Sequence, residues 1–371
     1  MSKKVTVIAT VLNEAETIAG LLESLARQIR RPEAVIIVDG GSTDGTVDIL
    51  RQWESQYDLP LRVMEAPGAN IARGRNIAIG AAETEIIVGT DAGTRLAPDW
   101  LQNLVAPFEE DTFTSFSAGP PPDVVAGFFL TDPQTIFETA LGATTIPAVD
   151  DVKPDRFLPS SRSIAFRKSV WQELGGYPEW LDVCEDLLFD LWLREDGYWI
   201  AFAPDAIAHF RPRRSLRQFF WQYYRYARGD GKADLWPMRH AIRYATYLVA
   251  APLLLRLAAR DWSAKEIRNS KFEIRNHFSS RGRILAWLAL LVGTGLMFRP
   301  PIQRLWRLTR GWSWSRRLQA LAWIPLIRVA GDVAKMLGYP VGRWWRRQHR
   351  SELRHVRGRP PFRLSQILDR S

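Results

Sequence analysis

Four short apolar runs, each followed by polar residues, divide the first 91 residues, and segments with helical spacing lie between them. In the first segment, Ile18, Leu21, Leu22 and Leu25 follow the i, i+3, i+4, i+7 pattern of one helix face. The predicted strands are Val5–Leu12, Ala34–Asp39, Leu61–Glu65 and Glu85–Asp91, and further helices are predicted over about Thr46–Ser55 and residues 70–82. This alternation predicts an α/β fold with a doubly wound, mostly parallel sheet and right-handed crossovers.

Polar side chains follow three of these strands at the point where each strand ends. The Asn13-Glu14 pair follows the first strand, Asp39 ends the second and Asp91 ends the fourth. Ligands bind at the carboxyl edge of open parallel sheets, so three polar strand ends favour a ligand site there. Taken alone, Asp39 also fits a strand–turn–helix corner with a capping carboxylate, because the Gly40-Gly41 pair permits a tight turn.

Two common nucleotide-binding loops are absent from these strand ends. Leu12-Asn13-Glu14 occupies the position where a dinucleotide-binding enzyme has its Gly-x-Gly-x-x-Gly turn, which argues against nicotinamide and flavin chemistry. No phosphate-binding loop ending in Gly-Lys-Ser/Thr is present either. A bound nucleoside diphosphate would therefore need a metal ion or arginine and lysine side chains to balance its charge.

The pattern changes after Asp91. Residues 111–122 and 131–161 are rich in Pro, Ser, Thr and Asp and are predicted to be loops, whereas a helix is predicted to begin at Glu185-Asp186 and end before Gly197. The predicted strands here are Val124–Leu130, Ser163–Arg167, Tyr198–Ala203 and Ala206–Phe210.

Glu185 and Asp186 have two interpretations. Carboxylates in the first turn of a helix are common caps, and the spacing alone favours that role. The alternative is a general base, because the positive end of the helix dipole favours the ionised carboxylate that accepts a proton.

The net charge of +10 conceals two regions of opposite sign. Residues 1–210 hold 16 Lys/Arg and 32 Asp/Glu, whereas residues 211–371 hold 34 Lys/Arg, 8 Asp/Glu and ten of the 16 tryptophans. This contrast predicts two regions with different surroundings, a first domain over residues 1–230 and a basic, Trp-rich helical region over residues 231–371. The single cysteine, Cys184, suits a reducing compartment, and no signal peptide is recognised, so we expect a cytoplasmic catalytic part.

Six short motifs in a fixed order resemble the family 2 glycosyltransferases, particularly their membrane-associated bacterial members. The resemblance covers about residues 4–230. The matching residues are Asn13-Glu14, Asp39 to Thr46, Arg75-Asn76, Asp91, Gly175-Gly176-Tyr177 with Glu185-Asp186, and His209. The resemblance implies the GT-A fold and an inverting transfer of a sugar from a nucleotide-sugar donor to an acceptor hydroxyl.

The resemblance also implies residue roles. Asp186, with Glu185 beside it, would be the catalytic pair, and Asp186 the general base. The donor would contact Thr10, Asn13, Glu14, Asp39, Arg75 and Asp91. Thr10 stands where the family usually has proline, and Gly40 where it often has a second Asp.

A divalent cation, Mn²⁺ or Mg²⁺, is implied at Asp91. Gly93 stands where the family has the second Asp of Asp-x-Asp, which is usually a direct metal ligand. Asp91, the donor diphosphate and His209 would then make a thin ligand set for a metal that prefers many oxygen ligands. His209 also fits a hydrogen-bonded core histidine.

The start of the basic half has two interpretations. Gln222-Tyr-Tyr-Arg225-Tyr226 resembles the Gln-x-x-Arg-Trp motif of processive family members, in which Gln222 and Arg225 would face the donor. The other interpretation is an amphipathic helix over Leu216–Arg228 that packs its aromatic face on the first domain.

Three apolar stretches follow: Tyr244–Leu257, Ile284–Phe298 and Leu318–Ala330. None reaches the roughly 18 uninterrupted apolar residues typical of a membrane span, so interfacial or re-entrant helices, or one or two short spans, are expected. The alternative is a soluble helical subdomain that packs on the enzyme. Arg343–Arg350 is predicted to be a charged surface helix, followed by a disordered end.

Arginine and tryptophan beside apolar runs favour the cytoplasmic face of an anionic membrane over nucleic acid, so no nucleic-acid partner is expected. The sequence thus predicts an inverting glycosyltransferase at this membrane face, acting on a lipid-linked or polysaccharide acceptor. The alternative function is a non-catalytic nucleotide-sugar-binding or scaffold protein derived from such an enzyme, which Gly93 keeps open and Glu185-Asp186 argues against.

Overall fold

The computed structural model describes residues 3–109, 121–259 and 277–353. Within them, strands form one mixed sheet with the spatial order β3-β2-β1-β4-β7-β6-β8-β5. The strands are β1 (Val5–Val11), β2 (Ala34–Asp39), β3 (Leu61–Glu65), β4 (Ile86–Gly89), β5 (Thr94–Leu96), β6 (Val124–Thr131), β7 (Ile164–Arg167) and β8 (Ile200–Phe210). The prediction of an α/β fold with a mostly parallel mixed sheet is confirmed, since β1 pairs in parallel with β2 and β4, β2 with β3, and β6 with β8.

Helices cover both faces of this sheet and build the C-terminal region. They are α1 (Ile18–Ala26), α2 (Thr46–Gln56), α3 (Ile71–Ala81), α4 (Trp100–Glu109), α5 (Ile136–Thr145), α6 (Lys168–Leu174), α7 (Glu185–Glu195), α8 (Leu216–Ala233), α9 (Pro237–Ala245), α10 (Ala251–Ala259), α11 (His277–Leu308), α12 (Trp314–Gln348) and α13 (Arg350–Leu353). Side chains of α1, α2 and α4 pack on one face of the sheet, and those of α3, α6 and α7 pack on the other. The strands between them are apolar on both sides for this reason.

The register of the parallel strands brings the polar strand ends to one edge. Val11 lies opposite Asp39, and Asp39 lies opposite Glu65, so β1, β2 and β3 end at the same level. The first four predicted strands lie within two residues of the observed bounds. The predicted alternation of strands and helices over the first 90 or so residues is therefore confirmed.

The second half of the sheet corrects one prediction. The two strands predicted over Tyr198–Ala203 and Ala206–Phe210 form the single strand β8. Its pairing with β6 shifts register between Gly127 and Phe128, and this irregularity accommodates the Pro204-Asp205 segment that suggested a break. Gly127 is required there, because a Cβ atom would collide with the side chain of Ser163.

Helix α5 was missed in the predicted loop over residues 131–161. Thr135 caps its start by accepting a hydrogen bond from the Glu138 backbone N–H. Ala140 and Leu141 are buried against Leu305 and Ile327, which come from α11 and α12. The helix owes its burial to partners more than 160 residues away in the sequence, so local composition did not reveal it. The loop predicted over residues 111–122 lies mostly outside the described residues, which omit 110–120.

Helix α8 confirms the amphipathic helix predicted over Leu216–Arg228 and extends to Ala233. It packs along α12 so closely that a Cβ atom added at Gly338 or Gly342 would collide with backbone atoms of α8. The boundary predicted at residue 230 lies within α8. This helix therefore joins the two predicted units through a continuous backbone.

The three apolar stretches belong to helices longer than the stretches themselves. Helical residues Pro237–Ala259 and Gly282–Leu308 are each long and apolar enough to cross a membrane, and only 6% and 11% of their most apolar windows are buried. Two of the three stretches are therefore compatible with the one or two spans that the sequence left open. Leu318–Ala330 differs, because Ile324 and Ile327 within it pack against α5 and α8.

The predicted charged surface helix over Arg343–Arg350 forms the end of α12 and the start of α13, although it is not wholly exposed. Trp345 stacks on Trp180 of the catalytic part at 6.2 Å between ring centroids, and Lys232 lies over its ring. The predicted disordered end lies outside the described residues, which stop at 353.

The close approach of α8 and α12 generates a stability prediction. Gly342→Ala should lower the free energy of unfolding by about 1–3 kcal/mol, because the added methyl group overpacks the helix crossing. Thermal unfolding of the detergent-purified full chain measures the change.

Gly20→Ala is the matched control, because a Cβ atom there meets nothing within 4 Å. Alanine is about 0.5–1 kcal/mol better than glycine inside a helix, so this variant should unfold at the same or a higher temperature. An equal loss of stability in both variants would contradict the close crossing.

Candidate active site

A cavity of about 500 Å³ opens beside the carboxyl end of β4, and its walls come from α3, α7, α8, α9 and α12. Its charged and polar lining residues include Arg75, Asp91, Arg162, Asp186, Tyr226 and Lys335. Of the predicted site residues, Arg75, Asp91, Glu185 and Asp186 line this cavity. The structure therefore brings together residues that lie up to 111 positions apart in the sequence.

Arg75 ties three elements together at the floor of the cavity. It lies in α3 and is 4% exposed. One guanidinium nitrogen donates to Glu185 Oε1 at 2.5 Å, and another donates to Asp91 Oδ1 at 3.1 Å. Although burial disfavours its charge, Glu185 and Asp91 raise the pKa of Arg75, so it stays cationic.

Asp91 lies between two guanidinium groups. Its Oδ1 faces Arg75, and its Oδ2 lies 3.7 Å from Arg162 Nε. Arg162 also stacks over Phe210, with its guanidinium carbon 4.5 Å from the ring centroid. Sequence analysis did not identify Arg162, because it lies between the predicted loop over residues 131–161 and the predicted strand over Ser163–Arg167.

The two carboxylates at the start of α7 have different environments. Glu185 is 4% exposed and is held by Arg75. Burial, and then the adjacent Asp186 carboxylate, raise the pKa of Glu185 to about 7, while Arg75 opposes the rise. Asp186 is only partly buried, and it lines the cavity. Of this pair, Asp186 is the carboxylate accessible to a substrate.

The backbone before α7 is held in an unusual conformation. Cys184 has a φ of 65°, in the left-handed region that side chains other than glycine rarely adopt. Its Sγ lies 3.3 Å from the Tyr226 carbonyl oxygen of α8, and a Cβ atom at Gly229 would lie 2.8 Å from the same sulfur. Tight packing between this turn and α8 therefore fixes the direction in which Glu185 and Asp186 point.

Asp190, one turn further along α7, was not identified from the sequence. It is 3% exposed, and burial followed by the Asp186 charge raises the pKa of its carboxyl group well above the usual range. The dominant cause is the loss of hydration of the charged form in the protein interior.

The predicted donor residues at the ends of β1 and β2 form a hydrogen-bonded turn. Asp39 is 1% exposed, and its carboxylate accepts from the backbone N–H groups of Gly41 and Ser42 at 2.7 and 2.8 Å. Asn13 Oδ1 accepts from the Thr43 N–H at 2.9 Å. Asp39 therefore stabilises the turn that follows β2 and does not cap α2, whose N-cap is Gly45. Its contact with a nucleotide base stays a prediction.

Two further predicted donor residues contribute to the same edge. Glu14 accepts from the hydroxyl of Thr17 and donates its backbone N–H to Thr46. The side chain of Thr10 packs on α3 at Gly74, where an added Cβ atom would lie 2.7 Å from Thr10 Cγ2. Thr10 thus helps to place the helix that carries Arg75.

Gln222 and Arg225 line a second cavity of about 530 Å³, which shares Val183 and Tyr226 with the first. Arg213 and Arg217 also line it, so it carries three arginine side chains. Gln222 donates to the Tyr226 hydroxyl at 3.0 Å. The second cavity is cationic and suits an anionic group.

His209 lies apart from the other predicted metal ligand. It pairs across the sheet with Arg95 in β5, and it does not line the cavity that holds Asp91. Burial and Arg95 lower the pKa of His209, while Asp132 opposes this effect. Within residues 3–109, 121–259 and 277–353, no group of three or more His, Cys, Asp or Glu side chains is arranged to hold a metal ion.

Comparison with known proteins supplies the family. Residues 6–172, from β1 to α6, match the sequence model of "Glycosyl transferase family 2". Among curated proteins, the "Succinoglycan biosynthesis protein ExoA" of Rhizobium meliloti is 29% identical over 282 residues, covering 70% of this chain and 79% of that protein. The "Glycosyltransferase AglE" of Haloferax volcanii is 23% identical over 294 residues, covering 77% and 92%.

Among solved structures, the mannosyltransferase PcManGT from Pyrobaculum calidifontis, in complex with GDP-Man and Mn²⁺, is 20% identical with a TM-score of 0.49. The similarity covers 97% of this chain and 89% of that one. The family match, and the relatives that are similar over most of this chain, agree with the order of motifs in the sequence and with the mixed sheet described above. Residues 6–172 therefore carry a family 2 glycosyltransferase domain, and the chain is an enzyme with the GT-A fold.

Proposed function

We propose that this enzyme transfers a sugar with inversion at the anomeric carbon, and that Asp186 is its general base. The observation that carries the proposal is the difference within the catalytic pair. Glu185 is buried against Arg75, whereas Asp186 is open to the cavity beside Asp91. A base has to reach the hydroxyl group from which it takes the proton, and Asp186 is the member of the pair that does so.

The reaction needs one proton acceptor. As Asp186 takes the acceptor's hydroxyl proton, the hydroxyl oxygen bonds to the anomeric carbon from the face opposite the leaving group. The bond between that carbon and the donor's phosphate oxygen breaks, and its electron pair stays on the nucleoside diphosphate. The leaving group needs its charge balanced and no proton, so a second carboxylic acid is unnecessary.

Arg75 and Glu185 act as positioning residues in this scheme. Arg75 fixes the end of β4 relative to the start of α7 through its two ion pairs. The distance between the Asp91 side chain, which faces the donor, and the Asp186 base depends on that link. A small displacement of either group lowers the rate strongly, because reacting atoms have to be aligned.

The acceptor is proposed to be lipid-linked or part of a polysaccharide. Trp236, Arg239, His240 and Arg243 line the cavity and lie at the start of the helical segment Pro237–Ala259, one of the two candidate membrane spans. An acceptor anchored in the membrane would therefore reach Asp186 from this side. Arginines beside an apolar helix support placing the cavity at the cytoplasmic face.

The direct test of the function is turnover of a nucleotide-sugar panel. The full chain in mild detergent should release nucleoside diphosphate from one class among UDP-, GDP- and dTDP-sugars. Release from none of them by a folded protein would favour the non-catalytic scaffold.

Asp186→Asn should lower transfer by at least about 100-fold, because removing a general base costs 10²–10⁴ in rate. Binding of the nucleoside diphosphate, measured by calorimetry, should stay nearly unchanged. Asp48→Asn is the matched control, since Asp48 is an exposed carboxylate in the first turn of α2. Full transfer by Asp186→Asn would remove Asp186 from its role.

Arg75→Ala should lower the free energy of unfolding by about 3–5 kcal/mol, because it leaves the buried Glu185 carboxylate without its cation and Asp91 with Arg162 alone. Arg95→Ala is the control, since the Arg95–Asp132 pair is exposed and surface pairs contribute about 0–1 kcal/mol. Chemical denaturation measures the free energy of unfolding of both variants. Equal losses of stability in the two would refute the positioning role of Arg75.

Membrane attachment predicts flotation with liposomes that contain anionic lipid, and the attachment should survive 1 M salt. Screening removes the attraction between surface charges at that concentration, at a Debye length of about 3 Å, but leaves apolar insertion. Replacing the exposed Leu291 and Leu296 of α11 by Asp should weaken flotation, whereas Ile29→Asp on the catalytic part should not. Complete release of the wild type by salt would indicate a purely electrostatic attachment.

A further inference from the structure

The protein groups around Asp91 do not fit a divalent cation. Mg²⁺ and Mn²⁺ take about six oxygen ligands and depend on carboxylates that are free to coordinate. Here both oxygens of Asp91 face arginines, with Oδ1 3.1 Å from Arg75 and Oδ2 3.7 Å from Arg162. Gly93 adds no carboxylate, and His209 lies outside the cavity. A metal ion at Asp91 would have to displace or repel two guanidinium groups.

Arg162 is built into the site. Its guanidinium group stacks on Phe210 and lies 5.6 Å from the centroid of Phe129, so the two rings restrict its position. A quarter of its side-chain surface stays open and faces the cavity. Although burial disfavours the charge, Asp91 raises the pKa of Arg162, and the group remains a cation.

We propose that Arg162 takes the place of the metal ion and balances the negative charge of the donor's diphosphate. This inference rests on the proposed function, because it concerns the donor of that same reaction. In the transfer step, the electron pair of the broken glycosidic bond remains on the nucleoside diphosphate, and Arg162 stabilises that added charge. A guanidinium group suits this role, since its planar N–H fork binds phosphate oxygens in pairs.

The arginines of the second cavity extend the same cationic surface. Arg213, Arg217 and Arg225 line that cavity, which meets the first at Val183 and Tyr226. A diphosphate bound across this junction would lie between arginines on both sides. Because these arginines balance its negative charge, we expect the diphosphate to bind without a metal ion.

A substitution at Gly93 can restore the metal-binding aspartate that this chain lacks. A Cβ atom at Gly93 meets no heavy atom within 4 Å, and the residue does not have a positive φ. An aspartate is therefore accommodated at this position, and Gly93→Asp restores the family's Asp-x-Asp pair. Combining Gly93→Asp with Arg162→Gln supplies carboxylate ligands and removes a competing cation.

The experiment measures nucleotide binding, separately from turnover. The full chain in mild detergent is titrated with UDP and with GDP by calorimetry, once in EDTA and once in Mn²⁺. The wild type should bind one of the two nucleotides with a Kd that changes less than about threefold between the two conditions. Arg162→Gln should raise that Kd by about tenfold or more in EDTA, because one charge-assisted contact is lost.

Two further variants complete the test. Arg167→Gln is the matched control, because Arg167 lies in neighbouring β7, pairs with Glu85 and does not line the cavity, so its Kd should equal that of the wild type. The double variant Gly93→Asp with Arg162→Gln should recover binding in Mn²⁺ and not in EDTA. Titration with Mn²⁺ alone should show binding to the double variant and none to the wild type. Thermal unfolding confirms that each variant is folded.

The possible outcomes distinguish a failure of this inference from a failure of the proposed function. A wild type that binds nucleotide only in Mn²⁺ would overturn the replacement of the metal and leave the glycosyl transfer intact. Metal-free binding that Arg162→Gln does not weaken would overturn the role of Arg162. Failure to bind UDP, GDP or any donor nucleotide in either condition would overturn the proposed function and this inference together.

Discussion

The active site depends on one buried arginine. Arg75 is 4% exposed and makes ion pairs with Asp91 at the end of β4 and Glu185 at the start of α7. Three buried or partly buried charges in one network are stable only together, because each desolvated charge needs its partner. The network therefore fixes a strand end, the α3 helix and the catalytic helix relative to one another, and Asp186 takes its position from them.

The turn before α7 extends this constraint to α8. Cys184 adopts a left-handed backbone conformation, and α8 approaches it closely enough that Gly229 is required. On its other side, α8 meets α12 at Gly338 and Gly342. The proposed base, Asp186, is thus connected through α8 to the region that carries the two candidate membrane spans. This connection supports the proposal of an acceptor that arrives from the lipid.

The carboxylates of the cavity differ in whether they are paired with an arginine. Glu185 is paired with Arg75, and Asp91 with Arg75 and Arg162, while Asp186 remains open to the cavity. Burial raises the pKa of the Asp190 carboxyl group well above its usual range. Arg162 in this cavity and Arg213, Arg217 and Arg225 in its neighbour supply guanidinium groups, which suit the bidentate geometry of phosphate oxygens. Under the proposal that Arg162 balances the charge of the donor's diphosphate, the site does not need a second aspartate at position 93.

The sequence by itself determined the parallel half of the sheet, the order of the motifs and the Glu185-Asp186 helix start. Those features follow from local periodicity and turn residues, which are encoded over a few positions. The tertiary structure decided what long-range contacts control. Helix α5 is stable through α11 and α12, Arg162 reaches Asp91 across 71 positions, and His209 is directed to Arg95 by its sheet pairing. No local pattern reports such contacts, because the free energy that fixes them comes from partners distant in the chain.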